Sequence, residues 1–318
     1  MTRTWHVYRG SGEPHDGIGR LPSPPPWRDW SWSGVGYQSL RGAVYQTTPE
    51  IVDTVNAALY LRRPLLVTGA PGSGKSTLAY HVARELGLGT VLNWPITSRS
   101  TLRDGLYTYD AMGRLQDANL GVESPGNVGR YIQLGPLGTA LVPGELPRVL
   151  LIDEIDKSDI DLPNDLLNIF EEGEFVIPEL ARADETNAMV RVHDASGRRA
   201  EVTYGRVRAT AFPFTILTSN GEREFPPAFL RRCLRLDLPR PSREQLLRIV
   251  EAHLGPDAVR EAITLIEEFV ERQSREALST DQLLNAVYLL VRNGHDEPPH
   301  DPYGNADVLR DTVLRRLD

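Results

Sequence analysis

Five short apolar runs are spaced between residues 63 and 238, and each has the length of a β-strand. The runs are R-P-L-L-V-T-G at 63–69, T-V-L-N-W-P at 90–95, R-V-L-L-I-D-E at 148–154, F-T-I-L-T-S-N at 214–220 and L-R-L-D-L at 234–238. Continuous apolar strands are buried on both faces, and several of the intervening segments have helical spacing. The pattern predicts an α/β fold in which a parallel sheet lies between two layers of helices, an αβα sandwich.

Helix signals flank the first run. Before it, Thr48 is a suitable N-cap and Pro49 stands at the first helical position. After it, residues 75–87 place apolar side chains on one face and end in glycine. The first strand is therefore expected to lie between two helices.

The pattern changes after Pro241, where amphipathic helices follow one another without intervening strands. Ser242 and Ser279 each stand three residues before a glutamine, which is the spacing of a capping box. We therefore expect a small all-helical lid domain over 241–318, with a last helix near 306–317.

These patterns divide the rest of the chain into an arm and a sheet domain. Residues 1–41 are rich in proline, glycine, serine and tryptophan and lack regular periodicity. Because tryptophan is costly to leave in water, the arm is expected to pack on its own domain or on a partner. Residues 42–240 form the sheet domain. Its insertion near 98–140 has a helix-like piece and a glycine-rich loop, and its insertion near 174–211 resembles paired strands.

The composition narrows the class of protein. The formal net charge of −8 argues against a general grip on nucleic acid, because phosphate neutralisation needs a basic surface. The single cysteine, Cys233, excludes an internal disulfide and fits a reducing compartment. No stretch approaches the length of a membrane span, and the N-terminus lacks the apolar core of a signal peptide. We expect a cytoplasmic protein without membrane insertion.

The lysine content draws attention to one loop. Of 35 basic residues only two are lysines, Lys75 and Lys157, and Lys75 lies in G-A-P-G-S-G-K-S at 69–76. This run fits the pattern G-x-x-x-x-G-K-[ST] between a predicted strand and a predicted helix. Glycines let backbone N–H groups approach phosphate oxygens, and the compact ammonium fits a narrow cradle that the planar guanidinium of arginine does not. The predicted nucleotide-binding residues are Gly69, Ala70, Pro71, Gly72, Ser73, Gly74, Lys75, Ser76 and Thr77.

Acidic and polar residues after two other strands extend this site. Asp153 and Glu154 end the run at 148–154. With the hydroxyl of Ser76, Asp153 is expected to hold Mg²⁺ through water, and Glu154 to polarise the water that attacks ATP. Asn220 ends the neighbouring strand, where a polar side chain can position that water. Arg231 and Arg232 stand just before the last strand and are expected to face outward at the edge of the sheet.

With these pieces the chain resembles the AAA+ ATPases, and within them the MoxR-like group, over about residues 42–292. The motifs that carry the resemblance are the loop at 69–76, Y-I-Q-L-G-P-L-G-T-A-L-V at 131–142, V-L-L-I-D-E-I-D-K at 149–157, L-P-N-D-L-L-N-I-F-E-E-G-E-F-V-I-P-E-L at 162–180, T-S-N at 218–220 and F-L-R-R-C at 229–233. The resemblance implies that Asn220 is sensor 1 and that Arg232 is the arginine finger, with Arg231 a close alternative.

The resemblance also implies a function. It predicts an ATPase with ATP and Mg²⁺ as cofactors, which self-associates into a ring, expected to be a hexamer, because the finger acts on a neighbouring subunit. Such a ring would be a chaperone-like remodelling or assembly factor for a protein client. Members of the group often work with a protein that has a von Willebrand factor A domain, which is therefore a candidate partner.

One departure keeps other functions open. The lid helix of the MoxR-like group often begins with an arginine directed at the γ-phosphate, whereas this chain has Asp281 there. Slow turnover, and a role as a nucleotide-dependent switch, is therefore an alternative. A nucleic-acid-stimulated motor is a further alternative, disfavoured by the net charge, and a small-molecule kinase fits neither the acidic strand end nor the arginine pair.

Two smaller clusters carry weaker hypotheses. The run H-D-E-P-P-H-D at 295–301 has metal-ligating residue types, but a proline-rich polar connector explains it more simply. The basic run at 191–208 is a candidate contact for nucleic acid, but charged hairpin edges also prevent edge-to-edge pairing of strands, and we favour that interpretation.

Overall fold

The computed structural model describes residues 7–8, 12–21, 23–28, 38, 42–43, 45–121, 128–183, 186–193, 197–273 and 278–295. The chain divides into two compact units. The sheet unit comprises Gly34–Gly69 and Gly74–Pro239. The helical unit comprises Met1–Ser33, Ala70–Ser73 and Arg240–Asp318. None of the helices in the described ranges combines the length and the apolarity that crossing a bilayer demands.

A five-stranded parallel sheet forms the centre of the sheet unit. Its strands, in the spatial order β11-β1-β10-β5-β2, are β1 (Leu65–Gly69), β2 (Leu92–Pro95), β5 (Val149–Asp153), β10 (Phe214–Ser219) and β11 (Leu234–Leu238). Side chains of β1 alternate between two apolar clusters: Leu65 and Val67 join one, and Leu66 joins the other. The sheet is therefore buried on both faces, and the predicted α/β fold is confirmed.

Eight α-helices lie in the described part of the sheet unit, and several of them connect strands of this sheet. They are α1 (Pro49–Leu61), α2 (Lys75–Glu85), α3 (Leu102–Leu106), α4 (Ala111–Asn119), α5 (Pro136–Ala140), α6 (Leu162–Glu172), α7 (Pro178–Ala181) and α8 (Pro227–Arg232). The predicted cap of α1 is confirmed, because the Thr48 side chain accepts a hydrogen bond from the amide of Ile51 and Pro49 begins the helix.

The two insertions form a second sheet together, which the sequence did not indicate. Its spatial order is β3-β4-β7-β8-β9-β6, with β3 (Tyr107–Tyr109), β4 (Ile132–Leu134), β6 (Glu174–Val176), β7 (Asn187–Arg191), β8 (Arg199–Thr203) and β9 (Arg206–Arg208). The paired strands predicted for 174–211 are confirmed. The prediction of only a helix and a loop for 98–140 is incomplete, because β3 and β4 flank α4 there. Gln133 pairs with Arg191 and so joins the insertions.

Close packing explains the glycines of the G-P-L-G run at 135–138. A Cβ atom on Gly135 would lie 2.4 Å from the carbonyl oxygen of Gly105, and one on Gly138 would lie 1.9 Å from that of Leu106. Contacts this short are not tolerated, so any side chain would push α5 away from α3. These glycines hold the insertion sheet close to the apolar cluster that contains β2 and β5.

In the described part of the helical unit, four α-helices surround their own apolar cluster. They are α9 (Arg243–Leu254), α10 (Pro256–Glu261), α11 (Ile263–Gln273) and α12 (Thr280–His295). The capping box predicted at Ser242 is confirmed by reciprocal bonds with Gln245. The last helix predicted at 306–317 lies outside the described residues, as do residues 296–301 of the metal hypothesis, and the described residues contain no cluster of metal-ligating side chains.

The described part of the N-terminal arm packs on these helices. The Trp27 indole donates a 3.0 Å hydrogen bond to Asn285 Oδ1 and meets the rings of His253 and Tyr288 edge-on. The Tyr288 hydroxyl in turn donates to the carbonyl of Ser23. Packing of the arm on its own domain is thus confirmed for Trp27, whereas the other three tryptophans of the arm, Trp5, Trp30 and Trp32, lie outside the described residues.

The substitution Gly138→Ala should destabilise the sheet unit by about 1–3 kcal/mol, because overpacking at the α3–α5 contact outweighs the better helix propensity of alanine. Thermal unfolding followed by circular dichroism would show a midpoint several degrees lower. Gly144→Ala is the matched control, since a Cβ atom there would have no neighbour closer than 3.6 Å. Equal effects at both positions would contradict the packing explanation.

Candidate functional site

The turn between β1 and α2 presents backbone N–H groups at a helix N-terminus. Gly69, Gly72 and Gly74 have φ values of 148°, 76° and 89°, a region that side chains other than hydrogen rarely allow. Gly74 is the N-cap of α2, whose first residue is Lys75. An anion at this turn would meet converging N–H groups and the positive end of an 11-residue helix.

Lys75 places its ammonium beside this turn. Its side chain is buried, and Nζ donates a 2.8 Å hydrogen bond to the carbonyl of Gly69. Burial lowers the pKa of Lys75, and the carboxylates of Asp156, Asp153 and Glu154 act in the opposite direction. The loop lysine and three acidic side chains therefore share one neighbourhood at the carboxyl edge of the sheet.

The carboxylate of Asp153 joins the ends of three adjacent strands. Its Oδ1 atom accepts hydrogen bonds of 2.6 Å from both the Ser76 hydroxyl, which follows β1, and the Thr218 hydroxyl of β10. The Thr218 hydroxyl also accepts a 2.9 Å bond from the amide of Glu154. Thr218 thus orients both residues of the acidic pair.

Glu154 has an unusual backbone and an exposed side chain. Its φ of 61° and ψ of 50° lie in the left-handed region, which is uncommon for residues other than glycine and asparagine. Its carboxylate is 42% exposed, and Oε2 accepts a 2.8 Å bond from Nζ of Lys157. The turn at Glu154 ends β5 abruptly and directs the chain into the short helical turn Ile155–Lys157.

Asn220 follows β10 and is fixed through its backbone. Its amide donates a 2.8 Å bond to Oδ2 of Asp156, and the amide of Glu222 donates a 3.2 Å bond to the same atom. Asp156 is 3% exposed, and its Oδ1 atom has no hydrogen-bond partner among the described residues. A buried carboxylate therefore holds the loop that carries Asn220.

The arginine pair lies at the opposite edge of the sheet. Arg231 and Arg232 end α8, immediately before β11, and the amide of Leu234 bonds to the carbonyl of Pro64 at the start of β1. Strands β1 and β11 are parallel, and Leu234 lies beside the first residue of β1. The distance along β1 from this position to Gly69 is therefore about 13 Å, which is four residue steps of about 3.3 Å. The structure brings the other predicted residues of the sheet unit together but leaves this pair apart.

The two arginines differ in their contacts. Arg232 forms an ion pair through Nε with Glu171, and its Nη1 donates a 3.3 Å bond to the carbonyl of Ala228. The guanidinium of Arg63 donates to the backbone carbonyls of both arginines and so fixes the end of α8. The side chain of Arg231 is exposed. Arg231 is thus more accessible than Arg232, the residue preferred from the sequence.

Residues Ala70–Ser73 of the loop belong to the helical unit. Within this unit the Thr280 hydroxyl donates a 2.8 Å bond to the carbonyl of Gly72, and a Cβ atom on Gly72 would lie 2.7 Å from the amide of Thr280. The hydroxyl of Ser73 is buried and has no partner in the described part of the chain. Asp281, in the first turn of α12, is exposed.

Three residues near the loop were not identified from the sequence. Thr218 is the first residue of T-S-N and a polar residue in an apolar strand, so it could have been suspected from the sequence. Asp156 stands between Ile155 and Lys157, a sequence setting that does not predict a buried carboxylate, so its burial depends on the tertiary structure. Tyr45 packs its ring against Gly74, where a Cβ atom would lie 3.1 Å from Cε2 of the ring, and burial raises the pKa of the Tyr45 hydroxyl.

Replacing Thr218 by valine should cost about 1–3 kcal/mol of unfolding free energy, because the amide of Glu154 loses its acceptor and Asp153 loses a donor at nearly constant side-chain volume. Urea denaturation measures this loss. Thr215→Val on the same strand is the control, since that buried hydroxyl makes only a 3.4 Å bond to the carbonyl of Pro213. Equal losses at both positions would show that the Thr218 bridge adds nothing specific.

Comparison with known proteins assigns this arrangement to a family. The family model described as AAA domain (dynein-related subfamily) matches residues 64–233, more than half of the 318 residues. The crystal structure of NtrX from Brucella abortus in complex with ATP is similar at 14% sequence identity and a TM-score of 0.44. That match covers 83% of this chain, which spans 55% of the length of the other. No curated protein matches the sequence. The chain belongs to the AAA domain family, in its dynein-related subfamily.

Proposed function

We propose that the chain is an ATPase, which binds ATP with Mg²⁺ at the carboxyl edge of the five-stranded sheet and hydrolyses it to ADP and phosphate. The donor set suits this ligand. Gly69 and Gly74 have positive φ, so N–H groups converge at the start of α2, and Lys75 adds a buried cation. Ser76 and Asp153 supply the oxygen ligands that Mg²⁺ prefers, already 2.6 Å apart.

Each side chain of this edge has a separate task. Lys75 holds oxygens of the β- and γ-phosphates, and Ser76 and Asp153 would hold Mg²⁺, the latter through water. The cation supplies charge neutralisation for the phosphate oxygens. Glu154 orients the attacking water and accepts its proton, and Asn220 keeps that water near the γ-phosphate.

The position of the arginine pair carries the further proposal that hydrolysis needs two copies of the chain. Arg231 and Arg232 lie at the amino edge of β11, whereas Gly69 and Asp153 lie at the carboxyl edge of the parallel sheet. The pair therefore lies about one strand length away from the site of its own subunit. A neighbouring copy that docked its carboxyl edge against α8 would receive an arginine at its nucleotide site. When every subunit docks in this head-to-tail way and the rotation between subunits closes, the assembly is a ring.

We further propose that this ring is a hexamer of the MoxR-like type, which remodels or assembles a protein client. The support is the resemblance of the motifs at 131–142 and 149–157, together with the combined insertion sheet, which offers a surface outside the nucleotide site. A protein with a von Willebrand factor A domain is the proposed class of partner. Proteins that remain bound to an ATP-loaded, hydrolysis-deficient variant would identify the client.

A slowly hydrolysing switch is the second candidate, and Asp281 is the observation that favours it. Its carboxylate is exposed in the first turn of α12, next to Thr280, whose hydroxyl bonds to Gly72 of the phosphate-binding loop. A negative charge here would repel a phosphate. Wild-type turnover that equals the background of Lys75→Ala would support the switch over the remodelling ATPase.

Two substitutions should separate binding from hydrolysis. Lys75→Ala should abolish ATP binding, because the loop loses its buried cation, as measured with a fluorescent ATP analogue. Glu154→Gln should bind the analogue normally but hydrolyse ATP about 10²–10⁴-fold more slowly, because the amide cannot accept a proton. Full activity of Glu154→Gln would refute its role as the base.

The trans arrangement predicts complementation between inactive variants. Lys75→Ala lacks a working site but has both arginines, and the double variant Arg231→Ala/Arg232→Ala has a site but no finger. Each alone should hydrolyse ATP at least about 10³-fold more slowly than the wild type, and a mixture should recover activity.

The exposed Arg235 on β11 supplies the matched control for this experiment. Arg235→Ala should keep wild-type activity, because it removes a charge from the same edge without removing the pair. A mixture that stays inactive, although the wild type is active and forms oligomers with ATP and Mg²⁺, would show that the arginines do not act between subunits.

A further inference from the structure

The second lysine of the chain also lies in the nucleotide site. Among 35 basic residues only Lys75 and Lys157 are lysines. Lys157 ends the helical turn Ile155–Lys157, directly after the acidic pair, and its Nζ lies 2.8 Å from Oε2 of Glu154. The proposed base of the reaction is therefore engaged by a cation of its own subunit.

The ion pair places a specific restriction on Glu154. The hydrogen bond to Glu154 is the largest cause of a raised pKa at Lys157, so the ammonium is charged under all ordinary conditions. One oxygen of the Glu154 carboxylate is occupied by this ammonium. The left-handed backbone of Glu154 fixes the start of the side chain, so that only its side-chain torsions can move the carboxylate.

We propose that Lys157 is a positioning residue, which holds the Glu154 carboxylate in the nucleotide-free subunit and holds it for a smaller fraction of the time once nucleotide is bound. This inference rests on the proposed function, in which Glu154 accepts the proton of the attacking water. The fraction of the pair that persists with ATP bound keeps Glu154 away from the attacking water, so Lys157 lowers the basal rate of hydrolysis.

The exposure of the pair makes release physically reasonable. Lys157 and Glu154 are 43% and 42% exposed, and ion pairs at such positions are worth no more than a few-fold in an equilibrium. The negative charges of Glu222 and Asp156 also act to raise the pKa of Lys157. The amide of Glu222 is bonded to Asp156, so the loop after Asn220 and the turn of Lys157 are mechanically linked.

Nuclear magnetic resonance can observe this contact without any hydrolysis. Lysine labelled with ¹³C at Cε gives two side-chain signals, because the chain has two lysines, and Lys75→Ala assigns them. In the nucleotide-free protein, Glu154→Gln should shift the Lys157 signal, whereas Glu222→Gln should shift it less. Adding Mg²⁺ with a non-hydrolysable ATP analogue should move the wild-type signal toward its position in Glu154→Gln.

Two results would overturn the proposal in this experiment. If Glu154→Gln leaves the Lys157 signal unchanged, the ion pair is not formed in solution. If the analogue binds but the signal keeps its nucleotide-free position, Lys157 does not release the carboxylate. Neither result depends on whether the wild-type protein turns over ATP.

Measurement of the ATPase rate is the second test of the proposal. Lys157→Met should raise the basal ATPase rate about two- to fivefold with an unchanged dissociation constant for a fluorescent ATP analogue, since only the restraint on the base is lost. Lys157→Arg should keep a rate close to that of the wild type, because a guanidinium can form the same pair. An unchanged or lower rate in Lys157→Met would refute the restraint.

The two hypotheses fail in different ways. A wild-type protein without any hydrolysis that depends on Glu154 would overturn the proposed function, and the role of Lys157 with it. Hydrolysis that depends on Glu154 but is insensitive to Lys157→Met would leave the proposed function intact and remove only the positioning role.

Discussion

One oxygen atom, Oδ1 of Asp153, is the point on which the nucleotide site depends. It accepts hydrogen bonds from Ser76, in the first turn of α2 after β1, and from Thr218, near the end of β10. These three residues are far apart in the sequence and meet only because β1, β10 and β5 are parallel neighbours whose carboxyl ends share one edge. A shift of one residue in the pairing of β10 with β1 or with β5 would turn Thr218 to the opposite face of the sheet. The Thr218 hydroxyl would then be separated from the Asp153 carboxylate.

The same parallel geometry separates the arginine pair from this edge. A strand that runs in the same direction as β1 must begin at the opposite edge, so α8, which precedes β11, cannot present Arg231 or Arg232 to the phosphate-binding loop of its own subunit. The bonds from Arg63 to the end of α8 and the ion pair of Arg232 with Glu171 hold the pair in this place. The separation of the arginine pair from the carboxyl edge of the sheet is thus a consequence of sheet topology.

The sequence was sufficient where a structure depends on local spacing. The loop at 69–76, the cap at Thr48 and the apolar strands each leave a pattern within a few residues. It was not sufficient for the insertion sheet, because β3, β4 and β6 have three residues each and the two insertions are joined through Gln133 and Arg191, 58 positions apart. The roles of Thr218 and Asp156 were missed for a related reason, since their partners are determined by strand register and burial.

The turn after β5 combines a permanent interaction with a reversible one. Asp156 is buried, and its carboxylate accepts hydrogen bonds from two backbone amides in the loop of Asn220. Because the acceptor is charged, each bond is worth about 1.5–3 kcal/mol. The neighbouring pair of Lys157 and Glu154 is exposed and worth about 0–1 kcal/mol. The difference means that Asp156 keeps the position of the Asn220 loop constant while Glu154, the proposed base, is free to change partners. The proposed mechanism, in which a subunit with bound ATP waits for a neighbouring copy, needs both properties within a few residues.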